Sequence, residues 1–93
     1  MTKYEALAQY LDHCEALQIT LSFKTLERIL GCGLPAEAKV ERAWWANRRA
    51  GSARQCDAWM RAGWQVFFAD LHRREVTFVK YTVVKAAAAA AAG

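Results

Sequence analysis

The sequence predicts an α+β fold, in which a mainly helical N-terminal part with one short strand precedes a C-terminal antiparallel β-hairpin. Three observations support this class. Apolar residues recur at helical spacing in the first half of the chain, a short alternating segment at 18–22 interrupts them, and β-rich sequence follows Gly63. Because 93 residues can bury one modest core, we expect a single domain at 1–85 with a three-stranded sheet.

The first helix is predicted from a capping-box pattern at residues 2–5 (TKYE), followed by an apolar stripe that continues to about residue 17. Residues 18–22 (QITLS) alternate and include β-branched side chains, which is typical of a brief strand. Ser22 is the expected N-cap of a second helix of about two turns, and Gly31 tolerates the positive φ common at a helix C-terminus.

Two further helices are predicted before the hairpin. Pro35 favours a helix start, and residues 36–47 contain only good or neutral helix formers, which predicts a third helix over that range. A second capping-box pattern at residues 52–55 (SARQ) starts a fourth helix, which presents Cys56 and Trp59 on one face and stops at Gly63.

The C-terminal third of the chain contains the hairpin and a tail. Two β-rich segments, 64–71 and 75–81, are joined by the polar turn His72-Arg73-Arg74, which predicts antiparallel strands. Residues 86–93 are seven alanines and a glycine, a run too short to form a stable isolated helix. We interpret this tail as a remnant of expression or as disordered.

The composition excludes several classes of protein. No window approaches the roughly 18 to 20 consecutive apolar residues of a membrane span, and the first residues lack the pattern of a signal peptide, so we expect a cytoplasmic protein with no membrane partner. The three cysteines lack the paired spacing of a metal clamp, and His13 and His72 lie in separate elements. We expect no catalytic residues, no metal and no cofactor, and a protein that is not an enzyme.

The net charge of +4 is concentrated in residues 39–61, which contain six basic and two acidic side chains. Basic side chains on neighbouring helices can neutralise phosphates. An Arg-Arg hairpin tip is suggestive, because Asn-Gly or Asp-Gly forms tight turns more readily. The alternative to nucleic-acid binding is a solvated basic face without a ligand. The candidate nucleic-acid-binding residues are Lys39, Arg42, Arg48, Arg49, Arg54, Arg73 and Arg74.

The segment 43–49 (AWWANRR) contains two adjacent tryptophans. Their side chains point about 100° apart on a helix, so we predict that Trp44 is buried and that Trp45 is half-exposed at the edge of the core. Trp45 is therefore the candidate partner-binding residue, with packing at the core edge as the alternative. Asn47 is predicted to end the helix as a C-cap, and recognition of adenine is the alternative for its amide.

A set of tryptophan, glycine and proline positions agrees with one pattern across about residues 4–80: Leu21-Ser22-Phe23, residues 26–31 (LERILG), Leu34-Pro35, Trp44-Trp45-x-Asn47, residues 58–64 (AWMRAGW) and Val76-x-Phe78. This pattern resembles a small uncharacterised bacterial and phage domain family. The resemblance implies no established activity, and it implies occurrence near mobile elements and defence genes. Gly31-Cys32-Gly33 and the Arg-rich segment after Asn47 depart from the usual form of the family.

The order of the elements gives a second likeness. A helix, a short strand, further helices and a hairpin follow one another in winged-helix proteins, whose hairpin "wing" contacts the DNA backbone. The first hypothesis is therefore a small non-enzymatic module that binds duplex DNA through basic helices and an Arg-tipped hairpin. The alternative is a protein-interaction module, such as an adaptor or an inhibitor of a defence or nuclease complex. Self-association to a homodimer through an uncovered edge strand at 75–84 is a further hypothesis.

Overall fold

The computed structural model describes residues 4–47 and 56–82, and within these ranges the chain has the predicted α+β fold. The three strands form one antiparallel sheet in the order β1-β3-β2. In chain order the elements are α1 (Glu5–Asp12), β1 (Gln18–Ser22), α2 (Phe23–Leu30), α3 (Ala36–Val40), the 3-10 helix η1 (Arg42–Trp45), α4 (Cys56–Met60), β2 (Trp64–Asp70) and β3 (Glu75–Lys80).

Strand β3 is the central strand of the sheet, so within the described residues it does not offer the edge needed for the predicted self-association through residues 75–84. That hypothesis required an uncovered edge. Glu75 pairs with Ser22 on one side and with Asp70 on the other, and this double pairing continues through residue 79 of β3. In the described part of the chain, the open edges of the sheet belong to β1 and β2.

Helix α1 ends at Asp12, about one turn earlier than predicted, and its predicted cap Thr2 lies outside the described residues. The carbonyl groups of the last turn have other partners. The Leu11 carbonyl oxygen accepts hydrogen bonds from the Cys14 amide (3.1 Å) and from the buried Trp64 indole (3.0 Å). Because these bonds satisfy a carbonyl that would otherwise be unpaired at the helix end, the chain can leave the helix before residue 17.

The predictions for β1 and α2 are confirmed. Strand β1 covers Gln18–Ser22, and the Ser22 hydroxyl oxygen accepts a hydrogen bond from the Thr25 amide (3.1 Å) as the N-cap of α2. Gly31 ends α2 with φ of 75°, in the left-handed region that glycine adopts without steric cost. Short-range signals were sufficient for this part of the chain.

The single helix predicted over residues 36–47 is wrong. The chain breaks at Glu41, which is extended (φ −112°, ψ 109°), and continues as a 3-10 helix over Arg42–Trp45. In an unbroken helix the Ala38 carbonyl would accept a hydrogen bond from the residue 42 amide. Here the Trp45 indole N–H donates to that carbonyl oxygen at 2.8 Å.

The burial predicted for the two tryptophans is also wrong, because the break reverses their roles. Trp45 is only 2% exposed and stacks between Phe23 and Trp59, with ring centroids 5.8 and 5.9 Å away. Trp44 is partly buried and meets the Tyr4 ring edge-on at 5.9 Å. A core-edge position for Trp45 was inferred from regular helical geometry, which this segment does not have.

One core lies between the helices and the inner face of the sheet. Its largest fully buried side chains come from α1, α2, α4, β2 and β3: Leu11, Leu26, Cys56, Trp59, Trp64, Val76 and Phe78. In the described residues, every buried side-chain nitrogen or oxygen has a hydrogen-bond partner, as expected for a native core.

Strand β2 contains a β-bulge. Val66 pairs with Phe78 and Phe68 pairs with Thr77, so Phe67 is an extra residue without its own partner on β3. A bulge turns two consecutive side chains away from strict alternation. Phe67 and Phe68 are consequently both exposed, whereas Ala69 returns to the core.

Candidate nucleic-acid interface

The tip of the β2-β3 hairpin is a turn at residues 71–74 with a defined backbone. The Asp70 carboxylate accepts a hydrogen bond from the Arg73 amide (3.0 Å) and thereby holds the turn. Arg74 has φ of 58°, and in the described residues it is the only non-glycine residue with positive φ. Its carbonyl oxygen accepts a hydrogen bond from the Phe23 amide (2.8 Å). The turn is therefore attached to the first residue of α2.

This attachment brings further basic residues to the hairpin tip. Lys24 follows Phe23 directly, and Arg28 lies one turn further along α2; both side chains are exposed. We refer to Lys24, Arg28, Arg73 and Arg74 as the basic corner. Lys24 and Arg28 were missed by sequence reasoning, although their spacing of four residues was visible. The β1-β3 pairing and the Phe23–Arg74 hydrogen bond join α2 to a turn some fifty residues later, and neither can be read from local spacing.

Two carboxylates reduce the charge of the basic corner. Asp70 and Glu75 pair across the base of the hairpin, and the Arg73 Nε lies 3.9 Å from an Asp70 carboxylate oxygen. The Arg73 side chain is 74% exposed, and ion pairs at such exposure contribute little, about 0 to 1 kcal/mol. Arg73 can therefore exchange this partner for a phosphate at low cost, and the corner keeps four cations against two anions.

Lys39 and Arg42 are three residues apart and would share a face of the single helix predicted over residues 36–47. The break at Glu41 separates them, and they have different neighbours. The Lys39 ammonium lies 3.6 Å from the Glu27 carboxylate on α2. The Arg42 guanidinium lies over the Phe68 ring, 5.7 Å from its centroid, on the β2 side of the sheet. These two candidate residues therefore do not share a helix face, although both side chains are exposed.

Three of the predicted nucleic-acid-binding residues, Arg48, Arg49 and Arg54, lie outside the described residues. Arg73 and Arg74, in contrast, lie next to each other at an exposed tip, as the sequence suggested. The partner-binding candidate Trp45 is part of the core, so its ring is not available to a partner.

Asn47 holds η1 against the open edge of β2. Its amide nitrogen donates to the Val66 carbonyl oxygen, and its amide oxygen accepts from the Val66 amide and from the Trp59 indole, each at 2.9 Å. The side chain thus pairs with β2 as a neighbouring strand would. The predicted helix C-cap is wrong, because Ala46 occupies that position. With its amide used in this way, Asn47 is a structural residue, and adenine recognition is not supported.

Other kinds of site find little support in the described ranges. No group of three or more His, Cys, Asp or Glu side chains there is arranged to hold a metal ion. None of the helices described combines the length and the apolar character needed to cross a membrane.

The fold and the exposed cations define a small α+β domain with a basic hairpin tip. The chain belongs to the family described as Domain of unknown function (DUF7662), which matches residues 4–82. This confirms the resemblance to an uncharacterised small domain family. No curated protein and no solved structure shows significant similarity to the chain.

Proposed function

We propose that this domain is a non-enzymatic module that binds duplex DNA, and that the basic corner contacts the phosphate backbone. The observation that carries the proposal is the 2.8 Å hydrogen bond between the Phe23 amide and the Arg74 carbonyl oxygen. It fixes the hairpin tip against the start of α2, so cations from two elements have a defined spacing. Such an arrangement suits the regular array of phosphates on a duplex, where contacts to the backbone position the protein.

The backbone of Arg74 supports a role at the hairpin tip beyond turn formation. A left-handed conformation costs an L-residue roughly 1 to 2 kcal/mol, which glycine avoids. Arginine occupies the position nevertheless, with φ of 58° and an exposed side chain. Strain of this kind concentrates at binding sites, where the residue is retained for its chemistry.

The order of the elements supports contact between the hairpin and the DNA backbone. Helix, short strand, helices and hairpin follow one another as in winged-helix proteins, in which the hairpin contacts the backbone beside a helix in the major groove. By this analogy of fold order, the hairpin would lie along the DNA backbone as a wing does. A cytoplasmic location is part of the same proposal.

The test measures binding of the full chain to a fluorescein-labelled duplex by fluorescence anisotropy over a series of salt concentrations. We expect the slope of log Kd against log salt concentration to fall by about 0.9 for each phosphate contact removed in Arg73→Gln and in Lys24→Gln. The matched control is Arg61→Gln, which removes one exposed cation beside Glu5 and Asp12 on the α1-α4 side of the molecule.

Two results would contradict the proposal. The first is the absence of duplex binding even at low salt. The second is an equal loss of affinity in Arg61→Gln and Arg73→Gln, because net charge rather than the basic corner would then explain the attraction.

A further inference from the structure

The solvent-facing side of the sheet carries two adjacent exposed aromatic rings, which the duplex-binding proposal does not use. Phe67 is 71% exposed and Phe68 is 48% exposed. Contiguous exposed apolar surface marks interaction sites more often than scattered apolar side chains do. The β-bulge at Phe67 is what exposes both rings, because regular alternation would turn one of them toward the core.

The cross-strand pairs show on which face of the sheet the Phe68 ring lies. Thr20 pairs with Thr77, and their hydroxyl groups are hydrogen-bonded at 2.9 Å on the exposed face. Phe68 is the partner of Thr77 on β2, so its ring lies on the same face. The Arg42 guanidinium covers the Phe68 ring at 5.7 Å. Phe67, the more exposed ring, therefore has the wider surface available for a planar ligand.

The charges around these rings favour one kind of occupant. Arg42 lies beside Phe68, and the basic corner begins where β2 ends. From Phe67 to Asp70 the strand advances three residues, or about 10 Å, which corresponds to about three nucleotides at the rise of a duplex strand. An exposed aromatic ring next to phosphate-binding cations is the arrangement by which proteins hold unpaired bases.

We propose that Phe67 stacks on an unpaired base of the same nucleic acid whose phosphates the basic corner contacts, with Arg42 near the adjoining backbone. This inference rests on the proposed function and specifies its substrate: a duplex that continues into a single-stranded segment. Stacking on an aromatic ring tolerates every base, because each base has a planar face. Selectivity is therefore for the unpaired state and not for a sequence.

The experiment compares two labelled duplexes that differ only in a single-stranded overhang, which carries either normal bases or abasic residues. We expect the wild-type chain to bind the overhang with bases about ten-fold more tightly, within the range found when a stacking aromatic residue is removed. Phe67→Leu should bind the two overhangs with equal affinity. Phe67→Tyr should keep the preference for the overhang with bases, because tyrosine keeps the aromatic face. Phe67 is mostly exposed, so each variant should unfold at the wild-type temperature.

The matched control is Tyr10→Leu, which removes another exposed aromatic ring, on α1, and should leave the ratio unchanged. A ratio near one in the wild-type chain, or an equal ratio in wild type and Phe67→Leu, would overturn the inference. If overhang binding is unaffected but Phe67→Leu abolishes a dimer seen by sedimentation, the rings form a protein contact and the inference is again wrong.

The failure of the inference can be distinguished from failure of the proposed function. Loss of the base-dependent ratio with retained, salt-dependent duplex binding contradicts only the stacking at Phe67. Absence of binding to both the duplex and the overhang contradicts both proposals.

Discussion

Replacing Arg74 with glycine should make the domain more stable and a weaker DNA binder at the same time. Arg74 has φ of 58°, and an L-residue with a β-carbon is strained in that region while glycine is not. Substitutions between glycine and other residues at positive φ change stability by about 1 kcal/mol in favour of glycine. The same substitution removes one cation from the basic corner.

The size of both effects can be estimated for Arg74→Gly. For a domain of 93 residues, a gain of about 1 kcal/mol raises the melting temperature by about 4 to 8 °C. Loss of one phosphate contact lowers the slope of log Kd against log salt concentration by about 0.9. Circular dichroism melting and fluorescence anisotropy measure the two quantities on the same preparation.

Arg73→Gly is the matched control for this prediction. It removes one cation from the same turn, at a position whose φ is not positive. Glycine there should lower stability by roughly 0.5 to 1 kcal/mol, because the unfolded chain gains freedom. If Arg74→Gly melts at or below the wild-type temperature, the strain argument is wrong. If neither variant changes the salt dependence, the tip does not contact phosphates.

Two further predictions concern the edge of the sheet and the core. Asn47→Ala should lower the free energy of unfolding by about 2 kcal/mol in urea titrations, because the Trp59 indole and the Val66 backbone lose their partner; Asn47→Asp keeps the accepting oxygens and should lose less. Trp45→Phe should cost about 1 to 3 kcal/mol, because the Ala38 carbonyl is left unpaired, whereas an unchanged urea midpoint would show that this bond does not fix the break after α3.

The parts of the fold that were predictable from sequence are those determined by neighbouring residues. Ser22 caps α2 and Gly31 ends it, as their side-chain chemistry and positive φ indicated. The alternating segments gave β1 and the hairpin within a residue or two at each end. The helix cap and the hairpin have partners within a few positions along the chain, and the alternation of β1 is a local pattern although its partner strand β3 is distant.

The errors arise where a tryptophan indole becomes a hydrogen-bond partner of a backbone carbonyl near a helix end. The Trp45 indole binds the Ala38 carbonyl, and the Trp64 indole binds the Leu11 carbonyl. Each bond occurs next to the end of a helix that was predicted to be longer, from periodicity for α1 and from helix propensity for residues 36–47. Helix propensity is a weak preference that tertiary contacts override, and nothing in the spacing of residues indicates which carbonyl a tryptophan will reach.

The candidate site was predictable only in part for a similar reason. The Arg73-Arg74 tip was visible in the sequence because a turn rarely needs two arginines. Its neighbours on α2 were not, because they join the tip through the pairing of β1 with β3. The proposed phosphate-binding surface therefore requires the folded sheet, and isolated peptides of α2 or of the hairpin would each contain only half of its cations.

The hairpin concentrates the features that local folding rules do not favour. Arg74 occupies a conformation that suits glycine, and the β-bulge exposes Phe67 to water. Asn47 and Trp59, which the fold itself requires, are hydrogen-bonded to each other at the open edge of β2. In a natural sequence, departures from local preference are expected at functional positions. Because both departures lie on one hairpin beside exposed cations, we expect the β2-β3 hairpin, and not the tryptophan rings of η1, to contact the ligand.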